Sequence, residues 1–415
     1  MIAYLLNIAI LAGLSGWLYT GVRQEKLARL YWPLWSLKIL AGISLGLLYR
    51  HYYAGGDTFT FFNAGKELAV LALNDPARYV QFWWTSDPAI ITLPYTWKPN
   101  VFFVKVVSLF NLLTANNYWL VSAYFSFASF TGAWSLVRAL APMVRRNIHI
   151  VLVGLFCLPS VVFWSSGLMK ESLALGCICG ILAIVLPMYY GKKGFSALRL
   201  LGALSLFFLL WQVKYYYAGL LFVTLFAMVV TRYINRKNFS YNFFYLAIFF
   251  IVVSSMMLFA ISRLHPNFYL SRILQVIVDT HDAFVARSGP DRVIRFHELS
   301  PHVFSFVENL PLALVSGLFR PFVWEVRSIL FAVPVLENLF LAVITVVAVF
   351  WSKLPSSKKD TILVLSVLMY SLVMAVLLAF STPNFGTLMR YKIGFLPFLV
   401  MILMFGNPWL RRARY

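Results

Sequence analysis

Asp57 follows the glycine pair Gly55-Gly56 and precedes Thr58, at the point where the second apolar segment of the chain ends. Glycines let a backbone turn tightly and let another molecule approach closely. A carboxylate there can accept a proton from a hydroxyl in one aqueous compartment. The same string also serves as a plain turn, with Asp capping the helix that follows. Lys66 and Glu67 lie shortly after it. A second polar stretch, Phe163-Trp164-Ser165-Ser166-Gly167-Leu168-Met169-Lys170-Glu171, sets a cation beside a carboxylate at a chain reversal. A third places Lys214 before Tyr215, Tyr216 and Tyr217. A fourth holds His265, Arg272, Asp279, His281, Asp282, Arg287, Asp291, Arg292, Arg295 and His297, and runs on to Leu318-Phe319-Arg320-Pro321-Phe322-Val323-Trp324-Glu325. The last is Asn384-Phe385-Gly386-Thr387-Leu388-Met389-Arg390-Tyr391-Lys392.

Charges this close to apolar segments are costly unless they are paired or used. Cations beside aromatic rings suit an anionic headgroup, Arg as a bidentate donor and Lys as a point charge. Lys98, Lys170, Lys214, Arg320, Arg390 and Lys392 are the candidates for a phosphate or diphosphate. Four of them have an everyday alternative: a local Lys170–Glu171 ion pair, or lysine and arginine stems snorkelling to the interface at Lys214, Arg390 and Lys392. Glu171 is a candidate for binding sugar hydroxyls or, with His281 and Asp282, a divalent metal ion; the His281–Asp282 neighbourhood matches no recognised ligand spacing, and no cofactor beyond that ion is expected. Cys157, Cys177 and Cys179 lie inside apolar segments, without metal or disulfide spacing, and read as small packing residues.

The elements that carry these groups are set by composition. The chain is 61% hydrophobic and 12% charged, against about a quarter charged in ordinary soluble domains. Apolar runs long enough to cross a bilayer recur throughout, which predicts an all-α, polytopic transmembrane helical bundle of about eleven spans in a single membrane domain, 1–415. The expected cores are 3–20, 33–50, 117–139, 147–164, 172–190, 198–212, 216–231, 242–262, 328–350, 361–381 and 387–406. The first has no basic residue before it and no clear cleavage site, and is read as a retained helix. A net charge of +21 suggests nucleic acid, yet the charges sit in short loops, the topology signal of membrane proteins. Arg23, Lys26 and Arg29; Arg145 and Arg146; Lys192 and Lys193; Arg232, Arg236 and Lys237; Lys353, Lys358 and Lys359; and Arg411, Arg412 and Arg414 share one face if the N-terminus is outside. The polar stretches then share the other face, in two larger loops, 51–117 and 263–327, and three short ones. Val101 to Leu113 is short and carries Lys105; with the helix expected over 63–73, it reads as juxtamembrane, among headgroup-level aromatics such as Trp83, Trp84 and Trp97.

Asp57 in the first large outer loop, the step Trp97-Lys98-Pro99 before an apolar helix, and the second polar motif Ser165 to Glu171 together resemble the GT-C superfamily of integral-membrane glycosyltransferases. The Phe-Trp-Ser-Ser-Gly…Lys-Glu, Leu-Phe-Arg-Pro-Phe…Trp-Glu and Gly-Thr…Arg-Tyr-Lys strings also look like those of bacterial membrane proteins near that superfamily and near polysaccharide polymerases. By layout the resemblance covers the first 200 residues or so. It departs in an extra early helix, in showing no soluble C-terminal domain, and in Lys170-Glu171 where many relatives carry an acid.

That resemblance implies a multi-pass protein of the bacterial cytoplasmic membrane. It would move a sugar from a polyprenyl-phosphate-linked donor to a lipid-linked or polysaccharide acceptor on the extracytoplasmic face. Asp57 would be the base, and the cations would offset the charge of the leaving phosphate. A single displacement needs one base and inverts the anomeric carbon. Trp164 and Trp324 would stack on sugar faces or seal the interface. Two other readings stay open: a polymerase that joins lipid-diphosphate oligosaccharides, and a non-enzymatic lipid or sugar transporter. The second class often shows internal repeats and mid-membrane charges.

Overall fold

The structure is a computed structural model that describes residues 2–21, 27–53, 56–95, 97–144, 147–235, 243–264, 269–325, 331–352, 355 and 357–407. Gly55, Arg23, Lys26, Arg145, Arg146, Arg236, Lys237, His265, Lys353, Arg411, Arg412 and Arg414 lie outside the described residues. The fold is all-helical, with no strand among the described residues. In chain order the helices are α1 (Ile2–Thr20), α2 (Ala28–His51), α3 (Gly56–Asn74), α4 (Pro76–Thr85), α5 (Lys98–Leu113), α6 (Tyr118–Val144), α7 (Ile148–Leu152), α8 (Pro159–Trp164), α9 (Lys170–Tyr189), α10 (Ala197–Ile234), α11 (Phe243–Leu264), α12 (Leu270–Ala286), α13 (Val303–Phe319), α14 (Ala332–Trp351), α15 (Lys358–Ser381), α16 (Phe385–Tyr391) and α17 (Leu396–Gly406).

Among the described residues, eight helices are long and apolar enough to cross a membrane, or nine if the bent pair Phe385–Gly394 and Leu396–Gly406 is one span. The apolar pattern of the sequence predicts about eleven, and the differences have local causes. The segment expected at 147–164 is cut into short pieces: α7 widens into a π-turn at Val153–Cys157, and the extended Leu158 precedes Pro159. The segments expected at 198–212 and 216–231 belong to α10, which is broken at Lys214 by a non-helical backbone (φ −146°, ψ 73°).

The chain divides into two compact units. One comprises Met1–Ala139, Val162–Leu186 and Gly194–Tyr215, and the other Leu140–Val161, Pro187–Lys193 and Tyr216–Tyr415. In the first unit, α3 and α5 lie against each other and against α6 around Phe61, Leu68, Phe103, Val107, Val121 and Phe125, all buried. Helix α4 is capped as its sequence dictates. Asp75 accepts the Arg78 N–H at 3.0 Å, Pro76 opens α4, and Ser86 ends it in a left-handed conformation. Lys105 of α5 donates to the Trp83 carbonyl (2.8 Å) and to Ser86 Oγ (2.7 Å), so a cation meets the carbonyl end of α4. Burial there pulls the Lys105 ammonium below its usual pKa. On α6 and α9, Gly132 and Gly176 bring the two backbones together: a Cβ at Gly132 would lie 2.1 Å from the Gly176 carbonyl oxygen.

In the second unit, α13 packs on α15, with Gly317 facing Ala375 so closely that a Cβ would sit 2.1 Å from its carbonyl oxygen. Helix α17 packs on the π-turn, where Gly154 meets Met401 and the Pro397 carbonyl. Helix α12 lies along α15, and one antiparallel bridge joins Val293 to Asn384.

Candidate functional site

In the first unit, chemistry gathers around the irregular turn 165–169, between α8 and α9. Irregular backbone within a membrane protein must have its polar groups satisfied by protein, and this turn is held on every side. Lys38 of α2 donates to the Ser165 carbonyl (3.1 Å), Ser165 Oγ (2.5 Å) and Ser129 Oγ of α6 (3.1 Å). Ser126 Oγ accepts the Gly167 N–H at 2.8 Å, and Ser172 Oγ donates to the Gly167 carbonyl at 2.8 Å. Thr58 Oγ1 donates to the Leu168 carbonyl at 2.9 Å and also lies 2.9 Å from the Tyr118 hydroxyl. Gly167 takes φ +73°, a region that favours glycine, and a Cβ on Gly42 would stand 3.0 Å from its nitrogen.

The turn delivers Lys170 and Glu171 to the start of α9. A cation at a helix N-terminus opposes the helix dipole, and aromatic faces compensate it. The Lys170 ammonium lies 5.2 Å from the ring centres of Phe61 and Trp97 and 5.9 Å from that of Phe103, and it bonds Asn100 Oδ1. Glu171 Oε1 meets Lys214 Nζ at 3.0 Å, with both side chains buried. The break in α10 thus falls at the residue that supplies this cation. Tyr215, beside it, reaches Trp97 edge-on at 6.4 Å.

Asp57 stands in the first turn of α3 with its side chain exposed. Its charge acts on Tyr95: burial first, and then the Asp57 carboxylate, push that phenol up to about 12. The Tyr95 ring stacks on Phe61 at 4.7 Å, and Phe61 in turn lies under Lys170. Asp57, Tyr95, Phe61 and Lys170 form one succession within the unit. Lys98 is exposed at the start of α5, next to Trp97. Trp164 is half-buried, packs edge-on to Phe163, and lies against the cluster of Leu45, Tyr49 and Met169.

The remaining expected residues belong to the second unit. Lys392 is buried and donates to the carbonyls of Leu318 and Arg320, both at 2.8 Å, and to Asn338 Oδ1 at 3.0 Å. These bonds use all three protons of an ammonium and tie the carbonyl end of α13 to α14. Asn338 adds a bond to the Pro321 carbonyl at 3.1 Å. Arg320 pairs with Glu325 at 3.1 Å and lies over the rings of Phe322 and Phe385. Arg390 lies over the Tyr391 ring at 5.2 Å. Trp324 is 77% exposed and stacks on Phe322. His281 Nδ1 meets the Asp282 carboxylate at 3.1 Å and stacks near Phe296. Among the described residues, no group of three or more His, Cys, Asp or Glu could hold a metal ion, His281, Asp282 and Glu171 included.

Lys38, Thr58, Tyr95, Asn100 and the buried pair Glu337 and Asn338 of α14 are not among the candidates that the sequence alone singles out; both Glu337 oxygens lie 3.3 Å from the Ser160 nitrogen. Lys38 and Glu337 carried a usable signal, since an ionisable residue inside an apolar span is a functional candidate by default. Thr58 and Asn100 carried none, because their partners are fixed only by tertiary packing. Comparison with protein-family models, with curated proteins and with solved structures finds no match to this chain.

Proposed function

We propose that the chain is a multi-pass membrane glycosyltransferase. It takes a sugar from a polyprenyl-phosphate-linked donor and passes it to a lipid-linked or polysaccharide acceptor on the extracytoplasmic face of a bacterial cytoplasmic membrane. The observation that carries this reading is the make-up of the first unit. An exposed carboxylate, Asp57, opens α3; the next residue, Thr58, clasps the turn that bears Lys170; and Lys170 and the exposed Lys98 flank the same Trp97. A base, cations for a phosphate and an aromatic rim are the parts that a single displacement at an anomeric carbon uses.

In this reading Asp57 takes the proton of the acceptor hydroxyl as the hydroxyl oxygen bonds to the anomeric carbon. The bond from that carbon to the lipid phosphate breaks, and the phosphate keeps the electron pair. Lys98 and Lys170 offset the charge it gains. Glu171 holds Lys214 and shapes the floor of the site. Lys392, whose N–H bonds go to protein oxygens, has a structural part. Arg320 and Arg390 are the side chains on which a lipid-diphosphate polymerase would rely instead.

The test uses the purified protein in proteoliposomes with a panel of radiolabelled polyprenyl-phosphate sugars. Asp57→Asn should lower transfer by about two to four orders of magnitude, the usual contribution of a general base, while insertion and monodispersity stay normal. Wild-type transfer by Asp57→Asn removes it as the base. Lipid movement in both directions with no new glycosidic bond makes the protein a transporter.

A further inference from the structure

Lys38 lies well inside α2 and is fully buried, at 0% exposure. Among the described residues no carboxylate pairs with it. The oxygens it meets are neutral: Ser129 Oγ, the Ser165 carbonyl and Ser165 Oγ. A methionine or leucine would fill that space without the cost of desolvating an amine, so the gain from lysine lies in the directed bonds. Those bonds converge on one residue, the first of the turn 165–169. One helical turn further along α2, on the same face, Gly42 admits the backbone of Gly167. Helix α2 therefore fixes the turn twice, by a long donor at its beginning and by an absent side chain at its middle. Thr58 fixes it a third time at Leu168. Lys170 follows two residues later, with its ammonium among Phe61, Trp97 and Phe103.

We infer that Lys38 is a positioning residue: by holding Ser165 it sets where α9 begins, and so keeps the Lys170 ammonium among its three rings, aligned for an anionic headgroup. The headgroup rests on the functional reading above; the placement of Lys170 does not. The aromatic surroundings give that placement a signature, because ring currents shift the resonances of a lysine held against them.

The experiment is solution NMR of the full chain in nanodiscs with lysine labelled at 13Cε. The Lys170 signal is assigned by its loss in Lys170→Arg, and it is expected upfield of the exposed lysines. In Lys38→Met it should move into the range of the exposed lysines; an unmoved signal in a folded Lys38→Met protein overturns the inference. If that variant does not fold, Ser165→Ala, which removes one acceptor and leaves the carbonyl, should move the signal part of the way, and no movement overturns it equally. Val137→Ala, a buried lesion elsewhere on α6, should leave the signal in place; a comparable shift there reduces Lys38 to general packing and also overturns the inference. Farnesyl phosphate, titrated into the wild type, separates the two ideas. Failure of the Lys170 signal to respond removes the headgroup assignment and leaves the role of Lys38 standing.

Discussion

Thr58 donates its hydroxyl to the carbonyl of Leu168 at 2.9 Å, tying the residue after Asp57 to the residue two before Lys170. The bond is fully buried and has the Tyr118 hydroxyl alongside at 2.9 Å. It joins two polar motifs that lie more than a hundred residues apart in the chain, which neither motif alone implies. The helix whose first turn carries Asp57 is thus fastened to the turn that presents Lys170 and Glu171.

Thr58→Val keeps the shape of the side chain and removes the donor. The Leu168 carbonyl and the Tyr118 hydroxyl then lose a partner inside the protein, at a cost of about 1–3 kcal/mol. Thr58→Ser keeps the hydroxyl and should cost less. Thermal unfolding in detergent measures the difference, and equal losses in the two variants would show that the methyl group, not the hydrogen bond, matters at this position.

The buried pair Glu171–Lys214, 3.0 Å apart, makes a sharper demand. Removing one partner of a buried ion pair costs about 3–5 kcal/mol, whereas replacing both can be neutral. Glu171→Gln and Lys214→Met are each expected to lower the thermal midpoint strongly. The double variant should recover most of the loss. A double variant as unstable as the sum of the singles would mean that the two side chains are not coupled.

How much of this was legible in the sequence depends on what each residue's role rests on. The long apolar helices were legible because apolar length is a local property, and the helix at Lys98–Leu113 was legible for the same reason. The break of α10 at Lys214 falls between the segments expected at 198–212 and 216–231 and was legible as a charge interrupting an apolar run, whereas the π-turn at Val153–Cys157 is a backbone event with little compositional trace. Lys170, Glu171 and Lys214 stood out as charges against an apolar background. Their partners could not be read, since Asn100 and the rings of Phe61, Trp97 and Phe103 come from other helices. Lys392 and Lys214 looked alike in sequence, yet one holds helix carbonyls and the other a carboxylate. Lys38 was readable as a mid-span charge; what it holds was not.

Glycines separate close packing from mere flexibility. A Cβ at Gly132 would come within 2.1 Å of the Gly176 carbonyl oxygen, so Gly132→Ala must push α6 away from α9. Gly13 of α1 has nothing within 4 Å of the same position, and Gly13→Ala should gain up to about 1 kcal/mol from helix propensity. The two substitutions are chemically identical and are expected to move the thermal midpoint in opposite directions. A neutral Gly132→Ala would mean that α6 and α9 do not meet as closely as described.

Tyr95 reports on Asp57 without any substrate. Its phenol is pushed up to about 12, by burial first and then by the Asp57 carboxylate, against an ordinary value of 10.0. A raised acid holds its proton more tightly in the folded chain than in the unfolded one. Below pH 10 both forms are protonated and Tyr95 contributes no pH dependence. Between about pH 10 and 12 the unfolded chain loses the proton first, so stability falls as pH rises through that window. Tyr95→Phe should flatten this share of the alkaline loss while leaving stability at neutral pH nearly unchanged apart from the lost hydrogen bond with Thr60. Asp57→Asn should lower the phenol only in part, because burial is the larger cause and stays in place. Ultraviolet titration of tyrosinate, compared among the wild type, Tyr95→Phe and Asp57→Asn, measures both effects. A Tyr95 titration unchanged by Asp57→Asn would separate the two residues and remove the electrostatic link between the start of α3 and the aromatic floor beneath Lys170.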